Sequence, residues 1–132
     1  MTNETAKKFI DALRRLETER DLETMVGLFS DDCEINNVVI ADNNHQNDAR
    51  KFWQSYRDNF GEVESTFRNE IVTENRAALE WTTTGTSSDG NRFEYEGVSI
   101  LEIEADKITR FFAYFDPNKL GRQIIEEKGQ TA

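Results

Sequence analysis

Asp116 has a residue type and a position that could support chemistry. It follows the aromatic run Phe112–Phe115 in the sequence FAYFDPNKL. A carboxyl group in an apolar pocket has a raised pKa, which a general acid or base needs near neutral pH. Asp116 also precedes Pro117, and an Asp–Pro pair is a preferred helix start. Both roles stay open, because one carboxylate oxygen can cap a helix while the other faces a ligand.

Three further side chains could take part in proton transfer or activation. Tyr114 lies on the same strand face as Asp116 and could donate a hydrogen bond to a substrate oxygen, or it is a packed aromatic residue. His45, in the polar segment ADNNHQND, could act as a base or proton shuttle, although a lone loop histidine is more often solvated. Cys33 has no basic neighbour to activate it, so we interpret it as a small core residue.

The charge balance excludes several kinds of partner. The chain has 26 acidic and 16 basic residues, which gives a net charge of −10. Such a surface repels phosphate backbones and anionic membranes, so we predict no nucleic-acid and no membrane partner. The N-terminus, MTNETAKKF, lacks the apolar stretch of a signal peptide, and we expect a cytoplasmic location. With one cysteine and one histidine, no metal site is predicted.

The elements that position these residues follow from apolar spacing. The length of 132 residues predicts one domain, residues 1–132. Three helices are predicted: residues 4–20 capped by Asn3, a short helix capped by Asp21 whose inward face includes Phe29, and a helix from residue 47 or 48 to a stop at Gly61. The third carries the aromatic stripe Phe52, Trp53, Tyr56 and Phe60.

Alternation with period two predicts the strands. One or two short strands are expected within residues 34–40, followed by strands at 62–73, 77–87, 92–104 and 107–115. Turn-like segments connect the last four, which predicts an antiparallel, strongly curved sheet. A final helix is expected after Pro117, with Leu120, Ile124 and Ile125 apolar and Gly129 at its end.

The last strand is apolar on both faces. Ile108, Phe112 and Tyr114 are predicted to point one way, and Phe111, Ala113 and Phe115 the other. Either a second subunit covers one of these faces, or the sheet curls enough to bury both. We favour a homodimer through the outer sheet face, because large exposed apolar patches are uncommon on monomers.

These motifs, in this order, resemble the SnoaL-like (polyketide cyclase-like) branch of the NTF2-like superfamily. The resemblance covers about residues 5–125 and is carried by LFSDDCEI, ARKFWQSY and GVSILEIEADKITRFFAYFDPNKLGRQI. It implies an α+β cone, in which a curved antiparallel sheet wraps around three helices, with a short C-terminal helix and a deep apolar pocket. Homodimers are common in this family.

The resemblance also implies site residues. In polyketide cyclases an aspartate near the end of the last long strand is the general acid/base, which would be Asp116. Trp53 and Tyr56 resemble pocket-facing positions, and the other predicted ligand contacts are Phe29, Trp81 and Phe112. Each could instead be plain core, and Trp81, which shares a face with Leu79 and Thr83, could lie at a subunit interface.

Other branches of the superfamily fit less well. Ketosteroid isomerases need a tyrosine and an aspartate where this chain has Leu13 and Asn37. Scytalone dehydratases need paired histidines, and this chain has only His45. Arg68 and Glu70 loosely resemble part of the site of limonene-type epoxide hydrolases, but a surface ion pair is the better interpretation.

Three functional hypotheses follow. The first is a cofactor-independent enzyme that transfers protons on an apolar carbonyl compound, with Asp116 as acid/base and Tyr114 and His45 as further candidates. The second is a protein that binds a small apolar or aromatic molecule without catalysis. The third is a protein–protein module, for which nothing beyond the acidic charge marks a surface.

Overall fold

A computed structural model of the chain describes residues 2–38 and 48–120. This part of the chain contains three helices, α1 Thr2–Glu19, α2 Leu22–Val26 and α3 Ala49–Asp58. The strands are β1 Phe29–Asn37, β2 Phe60–Val72, β3 Arg76–Ser87, β4 Arg92–Glu104 and β5 Lys107–Phe115. A helical turn follows from Pro117 to the end of the described residues, so the start of the predicted last helix is confirmed. Ile124, Ile125 and Gly129 lie outside the described residues.

The strands form one curved, unclosed sheet in the order β1-β5-β4-β3-β2. Strands β2 to β5 pair as successive antiparallel hairpins, as predicted, while β1 pairs parallel to β5. This arrangement is the α+β fold expected from the sequence. In the described residues no helix is both long and apolar enough to cross a membrane.

Local capping explains where the helices begin and end. Asp21 accepts a hydrogen bond from the Thr24 amide at 3.1 Å, and Asp48 accepts one from the Lys51 amide at 3.0 Å. Both are N-caps, as predicted. The prediction for Asn3 was wrong, because α1 already begins at Thr2.

Two predicted boundaries need correction. Phe29 is the first residue of β1, where it pairs with Ile108, because α2 ends at Val26 and Gly27 is its C-cap. Gly61 does not stop α3, which ends at Asp58 with Asn59 as the C-cap. Because the chain enters β2 at Phe60 without a longer loop, Gly61 is part of that strand.

A β-bulge in β5 changes which residues face the core. Glu102 pairs with Arg110 but Ile103 pairs with Ile108, so one extra residue is accommodated at Thr109. Ile108 is therefore fully buried, and the prediction that it shares a face with Phe112 was wrong.

Beyond the bulge the predicted alternation is correct. Phe111 and Ala113 are buried on the inner face, against the helices. Phe112 and Tyr114 lie on the outer face, with ring centroids 4.5 Å apart. The two faces of β5 are therefore both apolar, and only one of them borders the helices.

Helix α1 packs across β2, β3 and β4 on the inner face of the sheet. Its residues Ala6, Phe9, Leu13 and Leu16 are buried, which confirms the predicted apolar face. Helix α3 packs against β1 and β2 and brings Phe52, Trp53 and Tyr56 of the predicted aromatic stripe over the same face. The prediction that Phe60 belongs to this helix was wrong, because Phe60 is the first residue of β2. The space that remains between these helices and the sheet is the candidate site.

Candidate functional site

A cavity of about 480 Å³ lies between the helices and the inner face of the sheet. Its walls are mainly aromatic, and they include Trp53, Phe60, Trp81, Tyr95, Phe111 and Phe115. The volume and the mostly apolar lining are typical of small-molecule sites. Four residues with hydroxyl groups, Tyr56, Ser65, Thr83 and Ser99, also line it.

Trp53 of α3 organises one side of the cavity. The centroid of its ring lies 5.0 Å from the ring centroid of Phe52, 5.2 Å from that of Phe111 and 5.5 Å from that of Tyr56. These contacts are edge-to-face, the geometry that aromatic pairs prefer. Phe29 packs behind this cluster, 6.2 Å from Trp53, and does not line the cavity.

Trp81 of β3 forms the opposite wall. Its indole Nε1 donates a hydrogen bond to Ser99 Oγ at 2.9 Å, and its ring packs edge-to-face on Tyr95. The ring lies over Gly97, its partner in β4. The absence of a side chain at Gly97 therefore allows the indole to lie close to the sheet.

A buried carboxyl group stands behind the polar part of the wall. Glu17 of α1 is only 4% exposed. Its Oε2 accepts hydrogen bonds from Tyr56 Oη at 2.9 Å and from Ser65 Oγ at 2.6 Å, and its Oε1 accepts one from the Ser65 amide at 2.9 Å. Ser65 Oγ also lies 2.7 Å from Thr83 Oγ1. Glu17 thus connects helix α1 to α3, β2 and β3 through hydrogen bonds.

Burial changes the acidity of this group of residues. Desolvation raises the pKa of Glu17, although the hydrogen bonds from Ser65 and Tyr56 oppose the shift. Desolvation, with the nearby Glu17 charge, also raises the pKa of Tyr56 and of Tyr95. Both phenols therefore stay protonated and can act only as neutral hydrogen-bonding groups near pH 7.

The lining of the cavity has little charge. Of the described residues that line it, none is a lysine, an arginine or a histidine, and Asp89 is the single carboxylate. An anionic ligand would find no cationic partner among the described lining residues and would lie near Glu17. The arrangement favours a neutral ligand with an apolar body and at least one oxygen.

The structure brings together three of the eight site residues predicted from the sequence. Trp53, Tyr56 and Trp81 line the cavity. Phe112 and Tyr114 lie on the outer face of the sheet, where Tyr114 is 48% exposed. Their predicted pocket roles are therefore not supported by their position. His45 lies outside the described residues.

Asp116 caps the last helical turn, as predicted. Its Oδ1 accepts hydrogen bonds from the Asn118 amide at 2.9 Å and the Lys119 amide at 3.3 Å, and the residue is exposed. Its neighbours Phe115 and Pro117 line the cavity, while Asp116 itself does not. Its catalytic role stays a prediction.

The positions used in related folds can also be located. Leu13 and Asn37, the two positions that the sequence analysis compares with ketosteroid isomerases, both line the cavity. Arg68 forms a surface ion pair, but its partner is Glu80 at 4.0 Å, so the prediction of Glu70 as the partner was wrong. Cys33 is buried, which also raises the pKa of its thiol.

Glu17, Ser65 and Thr83 were missed by the sequence analysis. Glu17 follows Phe9 and Leu13 at helical spacing, so it falls on the buried face of α1. A charged residue on that face was the available signal. Ser65 and Thr83 had none, because small hydroxyl residues on a strand are common.

Comparisons with known proteins agree with this fold. The model of the SnoaL-like domain family matches residues 6–111. No curated protein sequence matches the chain. TerC, co-crystallised with polyporic acid, is a similar solved structure with a TM-score of 0.78 and 18% identity, over 92% of this chain and 96% of that chain.

Two further solved structures show the same fold. An LEH-like epoxide hydrolase of M. tuberculosis has a TM-score of 0.73 and 17% identity, over 98% of this chain and 96% of that chain. AclR, a putative hydroxylase from Streptomyces galilaeus, has a TM-score of 0.75 and 17% identity, over 94% and 80%. At these identities the similarity shows a shared fold, and it does not show a shared activity. The match over most of its length identifies the chain as a member of the SnoaL-like domain family, within the NTF2-like fold.

Proposed function

We propose that this protein binds a small, neutral, ring-containing carbonyl compound in the cavity and transfers protons on it without a cofactor. The observation that carries the proposal is the hydrogen-bonded group of Tyr56, Ser65, Thr83 and Glu17 at an otherwise aromatic wall. An apolar pocket with a few convergent polar groups is the usual form of such a site. TerC, which has a similar fold, was co-crystallised with polyporic acid, which is in line with small-molecule binding.

The chemistry would use the wall hydroxyls and the carboxyl group behind them. Tyr56 is placed to hydrogen-bond a ligand oxygen, because it lines the cavity while it contacts Glu17. A carbonyl held there is polarised, which makes an α-proton easier to remove; that proton would pass to water in the cavity, while the enolate oxygen keeps its hydrogen bond from Tyr56. Asp116 is the alternative acid/base, since its Oδ2 takes no part in the two capping bonds.

Hydrogen exchange on 2-tetralone tests this proposal without knowledge of the natural substrate. We expect the protein to bind this neutral bicyclic ketone and to speed deuterium incorporation at its α-carbons in D₂O, measured by NMR. Ala113→Phe should abolish both effects, because Ala113 lines the cavity. Thr82→Phe is the matched control and should change neither effect. Thr82 is next to Thr83 in β3, but its side chain faces away from the cavity.

Two outcomes of this experiment would change the assignment. If Asp116→Asn abolished exchange but left binding intact, Asp116 would be the base that removes the α-proton. If the protein bound neither 2-tetralone nor the hydrocarbon tetralin, the proposal of an apolar ligand would be wrong.

Binding without catalysis is the second candidate function. Each oxygen of Glu17 already accepts a hydrogen bond from the protein, an arrangement that is also typical of a structural buried carboxylate. This candidate predicts binding of 2-tetralone with no increase in the exchange rate.

A homodimer through the outer sheet face belongs to the same proposal. In the register of the sheet, Ile71, Ala78, Ile100 and Phe112 lie side by side across β2 to β5. Ile71 is 64% exposed, and Val98 and Tyr114 extend the apolar surface. A continuous apolar row of this kind on a sheet favours association with a second copy.

Ile100→Glu is expected to convert the dimer into a monomer, because it places a charge in the middle of this row. Light scattering coupled to size-exclusion chromatography measures the change in mass. Thr84→Glu, on the same face of β3 but outside the row, is the matched control and should stay dimeric. A wild-type protein that is monomeric at all accessible concentrations would contradict the proposal.

A further inference from the structure

We propose that one proton on Glu17 sets the direction of the hydrogen bond at Tyr56, and thereby determines which kind of ligand oxygen the cavity accepts. With Glu17 ionised, Tyr56 donates its proton to Glu17 and offers only a lone pair to the cavity. With Glu17 protonated, Tyr56 accepts from Glu17 and is able to donate to a carbonyl oxygen. The inference rests on the proposed function, because it assigns the polar contact of that ligand.

The backbone decides which oxygen of Glu17 can take the proton. The Ser65 amide, which can only donate, lies 2.9 Å from Oε1 and keeps this oxygen an acceptor. Oε2 contacts Tyr56 Oη and Ser65 Oγ, two hydroxyls that can each donate or accept. The proton is therefore better placed on Oε2, because there it can be donated to Tyr56 across the same 2.9 Å contact, whereas the Ser65 amide offers no acceptor to a proton on Oε1.

The second hydroxyl can keep its hydrogen bonds in both states. Ser65 Oγ donates to Oε2 and accepts from Thr83 Oγ1, 2.7 Å away. Neither bond has to reverse when Oε2 is protonated, because a carboxylic acid oxygen still has a lone pair. Reversal of the hydrogen bond is thus confined to Tyr56, which lines the cavity.

The surroundings of Glu17 favour its protonated form more than water does. Burial raises the pKa of Glu17, and the charge of Glu64 on β2 raises it further. The other titratable groups that face it are Tyr56 and Arg57 from α3 and Tyr95 from β4. Among inward residues of β3, Trp81 and Thr83 do not titrate. Helix α2 has only Glu23, which is exposed and paired with Arg50.

Binding of a ketone should therefore take up a proton. A carbonyl oxygen can only accept hydrogen bonds, so it binds best to the state in which Tyr56 donates. Above the pKa of Glu17 this state becomes rarer, and the affinity for a ketone falls by up to about tenfold per pH unit. A hydrocarbon of the same shape makes no such bond and should bind independently of pH.

Calorimetric titrations with 2-tetralone and with tetralin, over a pH series and in two buffers of different ionisation enthalpy, test this inference. For the wild type we expect proton uptake with 2-tetralone, an affinity that falls as pH rises, and neither effect with tetralin. Glu17→Gln should remove the pH dependence while it retains the affinity for 2-tetralone. The amide nitrogen would occupy the position of Oε2 and donate to Tyr56 as the protonated acid does.

A second variant keeps the inference falsifiable if Glu17→Gln folds poorly. Tyr56→Phe should bind 2-tetralone weakly and without pH dependence, and it should bind tetralin as the wild type does. A wild-type affinity for 2-tetralone that is flat with pH, or a slope that persists in either variant, would overturn the inference and leave the proposed binding function intact. Failure to bind either compound would overturn the proposed function, and this inference with it.

Discussion

Replacement of Glu17 by leucine is expected to lower the free energy of unfolding by about 2 to 5 kcal/mol. The substitution leaves the Ser65 amide and the Tyr56 hydroxyl without the acceptor that they contact in the fold. A buried donor without a partner costs about 1 to 3 kcal/mol. Urea unfolding followed by circular dichroism measures the loss.

A double-mutant cycle separates this effect from a simple packing defect. In a Tyr56→Phe background the same Glu17→Leu substitution should lower the free energy of unfolding by less. One of the two donors that lose their acceptor, the Tyr56 hydroxyl, is already absent there. Equal costs in the two backgrounds would show that Tyr56 and Glu17 are not coupled. Glu17→Gln, which retains hydrogen-bonding groups at both positions, is the matched conservative control.

The cost of Glu17→Gln itself should depend on pH. Because burial raises the pKa of Glu17, the folded state binds a proton more tightly than the unfolded state does. The stabilisation that protonated Glu17 contributes is fully present below the ordinary pKa of 4.5, and it is lost as the pH rises through the pKa of Glu17 in the folded state. A glutamine side chain does not titrate. The loss of stability in the variant relative to the wild type should therefore be largest in acid and should become smaller as the pH rises.

Gly97→Ala is the second substitution with a large expected effect. A Cβ at Gly97 would lie 2.3 Å from the carbonyl oxygen of Tyr114 and 2.8 Å from Cζ2 of Trp81. Neither neighbour can move freely, since one is backbone and the other is a buried indole bonded to Ser99. We expect a loss of about 3 kcal/mol in the free energy of unfolding, at the upper end of overpacking effects.

The same variant should also lose ligand affinity, because Trp81 can relieve the contact only by moving into the cavity. Trp81→Phe in the same chain should recover part of the stability and not all of it, since the contact with the Tyr114 carbonyl remains. Gly27→Ala is the control, because its Cβ would lie 3.3 Å from the Glu23 carbonyl oxygen. If Gly97→Ala were as stable as Gly27→Ala, the close packing of Trp81 on β4 would be wrong.

The sequence predicts most of the fold because periodicity reports which side of an element is buried. The apolar faces of α1 and α3 and the four long strands follow from spacing alone. The errors at Phe29 and Ile108 have a common cause. One depends on where a short helix stops and the other on a β-bulge, and both are set by hydrogen bonds that spacing does not record.

The candidate site was less predictable. Trp53, Tyr56 and Trp81 were identified because aromatic residues are conspicuous in a sequence. Asp116 attracted a catalytic prediction from its place after an aromatic strand, yet the same Asp–Pro pair forms the cap that the structure shows. Glu17 was overlooked, because its role depends on Ser65 and Tyr56, which are distant in sequence and meet it only in the folded chain.

The shared fold narrows the choice of chemistry without deciding it. Solved structures with this fold include an epoxide hydrolase and a putative hydroxylase, so the architecture alone does not name a reaction. The choice depends on the groups at the cavity, where Leu13 and Asn37 offer neither a phenol nor a carboxylate. The polar contact is instead made from α3 and the sheet, with Glu17 behind it.

A crystal structure of the protein soaked with 2-tetralone is the most direct test of ligand binding against Tyr56. We predict density for the bicyclic ring between Trp53 and Trp81, with the carbonyl oxygen about 2.7 to 3.0 Å from Tyr56 Oη. A probe bound outside the cavity, or inside it with the carbonyl directed away from Tyr56, would contradict this account.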